Sequence, residues 1–385
     1  MTRITDDWLH HPATQAVCRV LTDAGAQALF VGGCVRNALL GVAVSDIDIT
    51  TDARPDHVMR LAEAAGIKAV PTGIDHGTVT LVQDGIPHEV TTFRRDIETD
   101  GRRAVIAFST RIEEDAARRD FTMNALYARP DGEVLDPLGG MPDLRARRVR
   151  FIGDAQARIR EDYLRSLRYF RFHAWYGDAA AGFDPDALAA ISADLDGLDL
   201  LSRERVGHEM LKLLGATDPA PSVAAMRATG VLVHLLPGAD DTALAPLVHL
   251  EQMAGAAPGP LRRLAALGDG LAPGLRLSKA QQRTVEHMRE AAQGAAGAAE
   301  LGYRLGLDHG RDALLLRCAL FENAWQSKWN QALTKGNSAE FPVSARDLMP
   351  RLKGPELGAE LARLERLWIE SGFTADRQEL LAQAK

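Results

Sequence analysis

The feature that most constrains this chain is a change of hydrophobic period near residue 145. Before it, short β-rich runs such as residues 26–31 (AQALFV), 46–51 (DIDITT), 77–83 (GTVTLVQ) and 86–94 (IPHEVTTFR) read as strands. Between them, CVRNALLG reads as a helix closed by Gly41, and Pro55 opens the helix PDHVMRLAEAAG. Asp84-Gly85 separates two of the strand runs and is a hairpin signal. Further on, ALYA and EVLDP flank an Arg129-Pro130-Asp131-Gly132 turn. After residue 145 helical periodicity takes over. Residues 155–175 form one long amphipathic pattern, 202–214 form another, and beyond 216 Ala/Leu-rich segments are broken by Pro and Gly at 219–221, 258–260 and 273–274. The expectation is an α+β protein: a head with a small mixed sheet over residues 1–145, then an all-α neck over 146–215 and an all-α body and tail over 216–385. A chain of 385 residues is long enough for two or three such domains.

No run approaches 18 consecutive apolar residues, so no membrane span or membrane partner is expected. The polar, acidic opening MTRITDDWLH does not suit a secretory signal. Cys18, Cys34 and Cys318 stand at unrelated spacings, which points to reduced thiols in a cytoplasmic protein, not to disulfides or a zinc site. The net charge of −7 argues on its face against a nucleic-acid partner. The distribution matters more than the sum. From Arg94 to Arg171 there are 17 arginines, no lysine and 14 acids, a net of +3, leaving −10 for the rest of the chain. Arginine forks suit phosphates and base edges, although the same residues would serve on a solvated helix surface.

The residues that carry chemistry begin at Gly32-Gly33-Cys34-Val35-Arg36, followed ten residues on by Asp46-Ile47-Asp48. In an extended strand, side chains two apart share a face, so Asp46 and Asp48 are expected to project together while Ile47 and Ile49 turn to the core. Two neighbouring carboxylates repel each other unless a cation intervenes, which suggests a hard metal such as Mg²⁺. A strand–Gly-Gly–helix corner lets backbone amides approach a phosphate. Arg36 is placed on the first turn of that helix, so Gly32, Gly33 and Arg36 are candidates for binding a triphosphate. Glu89, on the strand after the hairpin, could join as a third carboxylate, and such a cluster suits phosphoryl transfer with two metal ions.

Residues 30–50 (FVGGCVRNALLGVAVSDIDIT) resemble the active-site signature of the polymerase-β-type nucleotidyltransferases, in the branch of class II (bacterial-type) CCA-adding enzymes and poly(A) polymerases. Further blocks follow in the order of that family. Arg118–Ala125 (RRDFTMNA) resembles its RRDFTxNA element, Asp136–Gly140 its DPxGG turn, and Glu161–Arg168 its EDxxRxxR helix. Ser202–Arg205, with Glu209, fits the neck helix. The likeness spans about residues 28–212. It implies a polymerase-β-like head and template-independent addition of CCA to the tRNA 3′ end from CTP and ATP. Two Mg²⁺ ions would serve at Asp46 and Asp48, with Glu89 alongside. It also implies that Arg119, Asp120 and Asn124 shape the ribose and phosphate site, and that Arg168 and Arg171 help hold the triphosphate. Asp162 accepts hydrogen bonds and Arg165 donates them; as helix neighbours they present a mixed edge that could pair with an incoming base, which is the role the resemblance implies. One departure is Asn37, where the family commonly has Asp; Asn cannot be an anionic ligand but can hydrogen-bond a neighbouring turn.

The rival readings are a poly(A) polymerase, an enzyme adding only C or only A, and a non-catalytic RNA-binding module with a decayed site. The short segment before RRDFT resembles the CCA-adding form, and the intact D-x-D and EDxxR argue against decay. Asp308-His309 resembles the metal pair of HD phosphohydrolases, but no matching ligand set accompanies it. His208 reads as a surface residue and the five tryptophans as core. No segment calls for an obligate protein partner.

Overall fold

The computed structural model describes residues 2–100, 103–349 and 351–384, with side chains for all of these outside 96–106. A seven-stranded mixed sheet forms the centre of the first part of the chain, in the order β3-β4-β5-β2-β1-β8-β9. Its strands are β1 (Leu29–Val31), β2 (Asp48–Thr51), β3 (Lys68–Gly73), β4 (Thr78–Gln83), β5 (Ile86–Thr92), β8 (Tyr127–Ala128) and β9 (Val134–Leu135), while β6 (Arg94–Asp100) and β7 (Arg103–Phe108) make a separate two-stranded sheet. The β4–β5 hairpin turns through Asp84 (φ 51°) and Gly85 (φ 79°). Two consecutive positive φ values are what a tight hairpin needs, which is why Asp-Gly stands there. β2 leaves this antiparallel pattern and runs parallel to β5.

The β6–β7 hairpin falls where the sequence reading placed only a loop. Asp100-Gly101 is the same dipeptide signal that marks Asp84-Gly85, but the run before it (RRDIETD) is charged and the run after it (RAVIAF) lacks clean alternation; Gly101 and Arg102 lie outside the described residues. A second difference is in the neck. The pattern over residues 155–175 is not one helix but two, Ala155–Glu161 and Leu164–Tyr176. Asp162 breaks it, extended at φ −155°, ψ 105°, with its Oδ1 accepting from the Leu164 amide at 3.1 Å. A carboxylate that bonds a nearby amide offers the backbone an alternative to the helix, and hydrophobic periodicity is blind to that competition.

The core of the head packs Leu29, Val31, Phe93 and Tyr127. Phe121 links it to the neck, lying 5.0 Å from Phe151 and 4.9 Å from Phe172 between ring centroids. Contacts divide the chain into Met1–Leu213 with Pro221–Leu235, and Leu214–Ala220 with Leu236–Lys385. Residues 1–145 and the first neck helices therefore share one compact unit. The second unit is helical and is tied by a buried ion-pair network. Arg263, at 1% exposure, bonds Glu251 and the carbonyls of Leu214 and Thr217, while Arg262 bonds the other Glu251 oxygen. Among the described residues no helix is long and apolar enough to cross a membrane.

The Asp136–Gly140 turn is fixed by its own carboxylate, which accepts from the amides of Gly140 at 2.7 Å and Met141 at 2.9 Å. It lies so close to the RRDFT segment that a Cβ on Gly140 would stand 2.3 Å from the Thr122 carbonyl oxygen. Gly140→Ala is therefore expected to destabilise the protein by about 1–3 kcal/mol, the usual cost of overpacking. Urea unfolding of the variant checks this, and an unchanged midpoint would show that the turn can move aside.

Candidate active site

β1 ends in Gly32, whose φ of 72° and ψ of −121° turn the chain into the helix Gly33–Leu40. An L side chain rarely adopts that conformation, and a Cβ there would also stand 3.5 Å from Arg119 Nη1. The corner thus leaves the helix amides open beside an arginine, an arrangement suited to anions.

Of the expected cluster of Asp46, Asp48 and Glu89, the sheet sets Asp48 beside Glu89. Asp48 is the register partner of Glu89 across the parallel β2–β5 pair, and the Glu89 amide donates to the Ile47 carbonyl at 3.3 Å. Glu89 is exposed between buried His88 and Val90, so it faces the open side of the sheet. Asp46 lies just before β2, exposed, with Ser45 Oγ donating to it at 3.1 Å. Burial pushes the Asp48 carboxyl up to about 6, with Glu89 and Asp46 adding repulsion and Arg119 opposing it. Among the described residues no three His, Cys, Asp or Glu side chains gather into a metal cage. Glu89 acts on Asp48 as a neighbouring charge, not as the third arm of such a cage. The donor chemistry nevertheless fits Mg²⁺, which is usually held by one or two carboxylates with substrate phosphates completing its shell. Surplus negative charge around Asp48 is what a bound cation would relieve.

Arg36 departs from its expected role. It is on the expected helix but at 6% exposure, and its guanidinium is spent on protein groups. Nη1 donates to Asn124 Oδ1 at 2.5 Å, Nη2 donates to Tyr176 Oη at 2.8 Å, and Nε and Nη2 both donate to Asn37 Oδ1. The ring of Tyr176 lies 3.9 Å away. Arg36 is a structural tie, not a free phosphate ligand. Asn37 does bond a neighbouring turn, its Nδ2 donating to the Ala43 carbonyl at 3.1 Å.

The RRDFT block continues that tie. Asn124 Nδ2 donates to Asp120 Oδ1 at 2.8 Å, and Arg168 donates to Asp120 Oδ2 from both Nε and Nη2. Burial alone would raise the Asp120 carboxyl, but Arg168, Asn124 and the Phe121 amide more than offset it and bring it down to about 2. Arg119 is held by Asp115 and the Tyr127 hydroxyl. Arg171 donates to Glu209 at 2.5 Å. The arginine-rich stretch is therefore largely committed to internal pairs, and its net charge overstates the free basic surface.

Asp162 and Arg165 come close in sequence but do not share a helix. Asp162 Oδ2 accepts from Arg205 Nη2 at 2.6 Å. Arg165 donates to Glu161 Oε2 at 2.5 Å, and Arg158 donates to both oxygens of that carboxylate. Tyr176, Asp115 and Arg158 are site residues that the sequence reading missed. Asp115 stands four residues before Arg119 on a helix turn, a spacing that could have disclosed it.

This sheet, with a Gly-Gly corner beside paired carboxylates, defines a nucleotidyltransferase head. Residues 28–150 match the Poly A polymerase head domain, and residues 182–242 match a family described as a probable RNA and SrmB-binding site of polymerase A. The chain is 32% identical over 383 residues to the human CCA tRNA nucleotidyltransferase 1, mitochondrial, covering 92% of this chain and 85% of that protein. It is 41% identical over 221 residues to the CCA-adding enzyme of Geobacillus thermodenitrificans, covering 57% and 53%. The solved Bacillus stearothermophilus CCA-adding enzyme in complex with CTP is similar at a TM-score of 0.76 and 27% identity, over 97% of this chain and 96% of that one. The chain belongs to the family of CCA-adding enzymes and poly(A) polymerases.

Two outcomes follow from the geometry. The folded protein holds a proton on Asp48 up to about pH 6, whereas the unfolded chain releases it near 3.8. The Asp48 contribution therefore falls as pH rises from about 4 to about 6 and stays unfavourable above that. Asp48→Asn is expected to remove this loss and to stabilise the metal-free protein at pH 7 by about 1–2 kcal/mol. Urea midpoints of both proteins at pH 4 and pH 7 measure it, and an equal difference at the two pH values would contradict the assignment. Arg36→Ala leaves Asn124 and Tyr176 without their partner and is expected to cost about 2–3 kcal/mol. A variant of normal stability with a raised nucleotide KM would instead make Arg36 a phosphate ligand.

Proposed function

We propose that this protein adds CCA to the 3′ end of tRNA from CTP and ATP without a nucleic-acid template. The observation that carries the reading is the Asp46 and Asp48 pair, with Asp48 held at raised energy by burial and by Glu89, beside the helix that opens at Gly33. The names of the relatives support the same activity.

Asp46 and Asp48 would hold Mg²⁺, which when bound supplies positive charge to the reacting phosphate and the RNA hydroxyl. The chain's own residues do the rest. The amides following Gly32 bind triphosphate oxygens, with Arg119 beside them as a fixed positive charge. Arg168 and Arg171 reach the nucleotide only by sharing Asp120 and Glu209, so their first task is to orient the neck helix. Asp162 and Arg165 select the base. Asp162 uses its oxygens on the Leu164 amide and Arg205, leaving further lone pairs free, and Arg165 keeps donors beyond those spent on Glu161, Arg158 and Arg118. Both groups are thus aimed before a base arrives, which lowers the entropy cost of recognition. We place the protein in the cytoplasm, in keeping with the free and buried Cys18, Cys34 and Cys318.

The test is incubation with tRNA lacking its terminal CCA and each of the four labelled nucleotides. Incorporation of C, C and A in order supports the reading; a long A tract, or C alone or A alone, would replace it with poly(A) or partial activity. Asp48→Ala is expected to abolish incorporation while the protein remains folded. Asp162→Ala is expected to narrow the preference for CTP and ATP over UTP and GTP by roughly ten- to a hundred-fold, the worth of one hydrogen-bond partner of about 1–3 kcal/mol. Measuring kcat/KM for all four nucleotides decides this, and a uniform loss with preference intact would leave Asp162 a structural residue.

A further inference from the structure

The second unit contains a small cavity of about 140 Å³ that the activity above does not use. It lies between the helices Lys279–Gln293 and Ala298–Leu320 and is lined by Arg283, Thr284, His287, Met288, Leu305 and His309. We propose that this cavity is a phosphate-binding site, with Arg283, His287 and His309 as its donors.

Three observations carry the proposal. Arg283 and His287 stand four apart on one helix, which puts them on the same face, and His309 meets them from the other helix. The helix bearing His309 is interrupted at Gly306 (φ 79°, ψ 177°), and the break falls between Leu305 and His309. Among the described residues, none of these three side chains takes part in a hydrogen bond or ion pair with another group of the protein. This contrasts with Arg262, Arg263, Arg289, Arg304 and Arg317 of the same unit, each of which bonds a protein oxygen. No carboxylate lines the cavity, and the Thr284 hydroxyl already donates to the Ala280 carbonyl at 3.0 Å. A guanidinium and two imidazoles, exposed around an opening whose lining holds no acid, form an environment suited to an oxyanion. The forked guanidinium matches two phosphate oxygens, and a neutral or charged imidazole can donate to a third.

The phosphate can come from an RNA backbone or from a free anion such as inorganic phosphate or pyrophosphate. The full chain distinguishes them. Imidazole resonances of His287 and His309 are followed by NMR as tRNA lacking CCA, inorganic phosphate or pyrophosphate is added. Movement of both histidines with any of the three is the expected result; if none moves them, the proposal is overturned. An Arg283→Gln/His309→Gln variant then assigns the source. A rise of about 5- to 20-fold in the Kd for tRNA, with the incorporation rate at saturating tRNA unchanged, assigns the RNA backbone. An unchanged Kd alongside histidine shifts with phosphate or pyrophosphate assigns the free anion. Because the resonance titration uses the unaltered protein, it decides the proposal even if the variant does not fold. It does so regardless of which nucleotides the active site adds.

Discussion

Burying the Arg36 guanidinium in the head costs several kcal/mol unless the charge is matched, and the way it is matched organises the whole first unit. The match is a line of bonds running from Tyr176 through Arg36, Asn124 and Asp120 to Arg168. Tyr176 and Arg168 both belong to the helix Leu164–Tyr176, so the line leaves the neck, crosses the Gly-Gly helix and the RRDFT segment, and returns to the neck. Asn124 is the one member that must both accept and donate: its carbonyl takes Arg36 and its amide reaches Asp120. An aspartate there would place two carboxylates in contact and could not donate. The neck is therefore held to the head by chemistry that permits little substitution, and the corner that frames Gly32 cannot shift independently of the helix that follows Asp162.

The same economy governs the other arginines. Asp143 takes Arg148 and Arg150, Glu161 takes Arg158 and Arg165, and Asp115 takes Arg118 and Arg119. Each acid gathers two cations, which leaves a local surplus of positive charge fixed in place by the fold. A net of +3 over residues 94–171 is thus better read as preorganised positive sites around individual acids than as a broad basic face. That difference matters for an RNA-handling protein of net charge −7, because specificity rests on placed donors more than on bulk attraction.

Much of this was legible in the sequence, and the exceptions have physical causes. The Gly-Gly corner, the Asp84-Gly85 hairpin and the strands that carry Asp48 and Glu89 are set by local backbone rules, which a sequence exposes directly. The position of Arg36 on its helix was also legible. Its burial was not, because that depends on Asn124 and Tyr176, which are 88 and 140 residues away. The break at Asp162 escaped because hydrophobic spacing continues through it while a single carboxylate bonds the backbone. The β6–β7 hairpin escaped because neither the charged RRDIETD nor the mostly apolar RAVIAF carries a period-two signal. The change of hydrophobic period at 145 does not divide the contact units, for a third reason: the aromatic contacts of Phe121 with Phe151 and Phe172 join the segments on either side.

Asn37 shows how the departure from the family pattern fits this chain. Its carbonyl accepts from Arg36 and its amide donates to Ala43, so it needs both halves of the side chain, and only an amide supplies both. Ala43 begins the segment that leads to Ser45, Asp46 and β2. Asn37 therefore joins the buried arginine to the approach of the D-x-D. The contrast with the acids around it is informative. Asp115, Asp120 and Asp143 are each met by arginine, as structural carboxylates should be. Asp48 instead faces Glu89 and Asp46 with only Arg119 in opposition, and its proton is held far above the ordinary range. The chain's own residues neutralise these three acids and leave the charge of Asp48 unbalanced, which supports the proposal that Asp48 holds a cation.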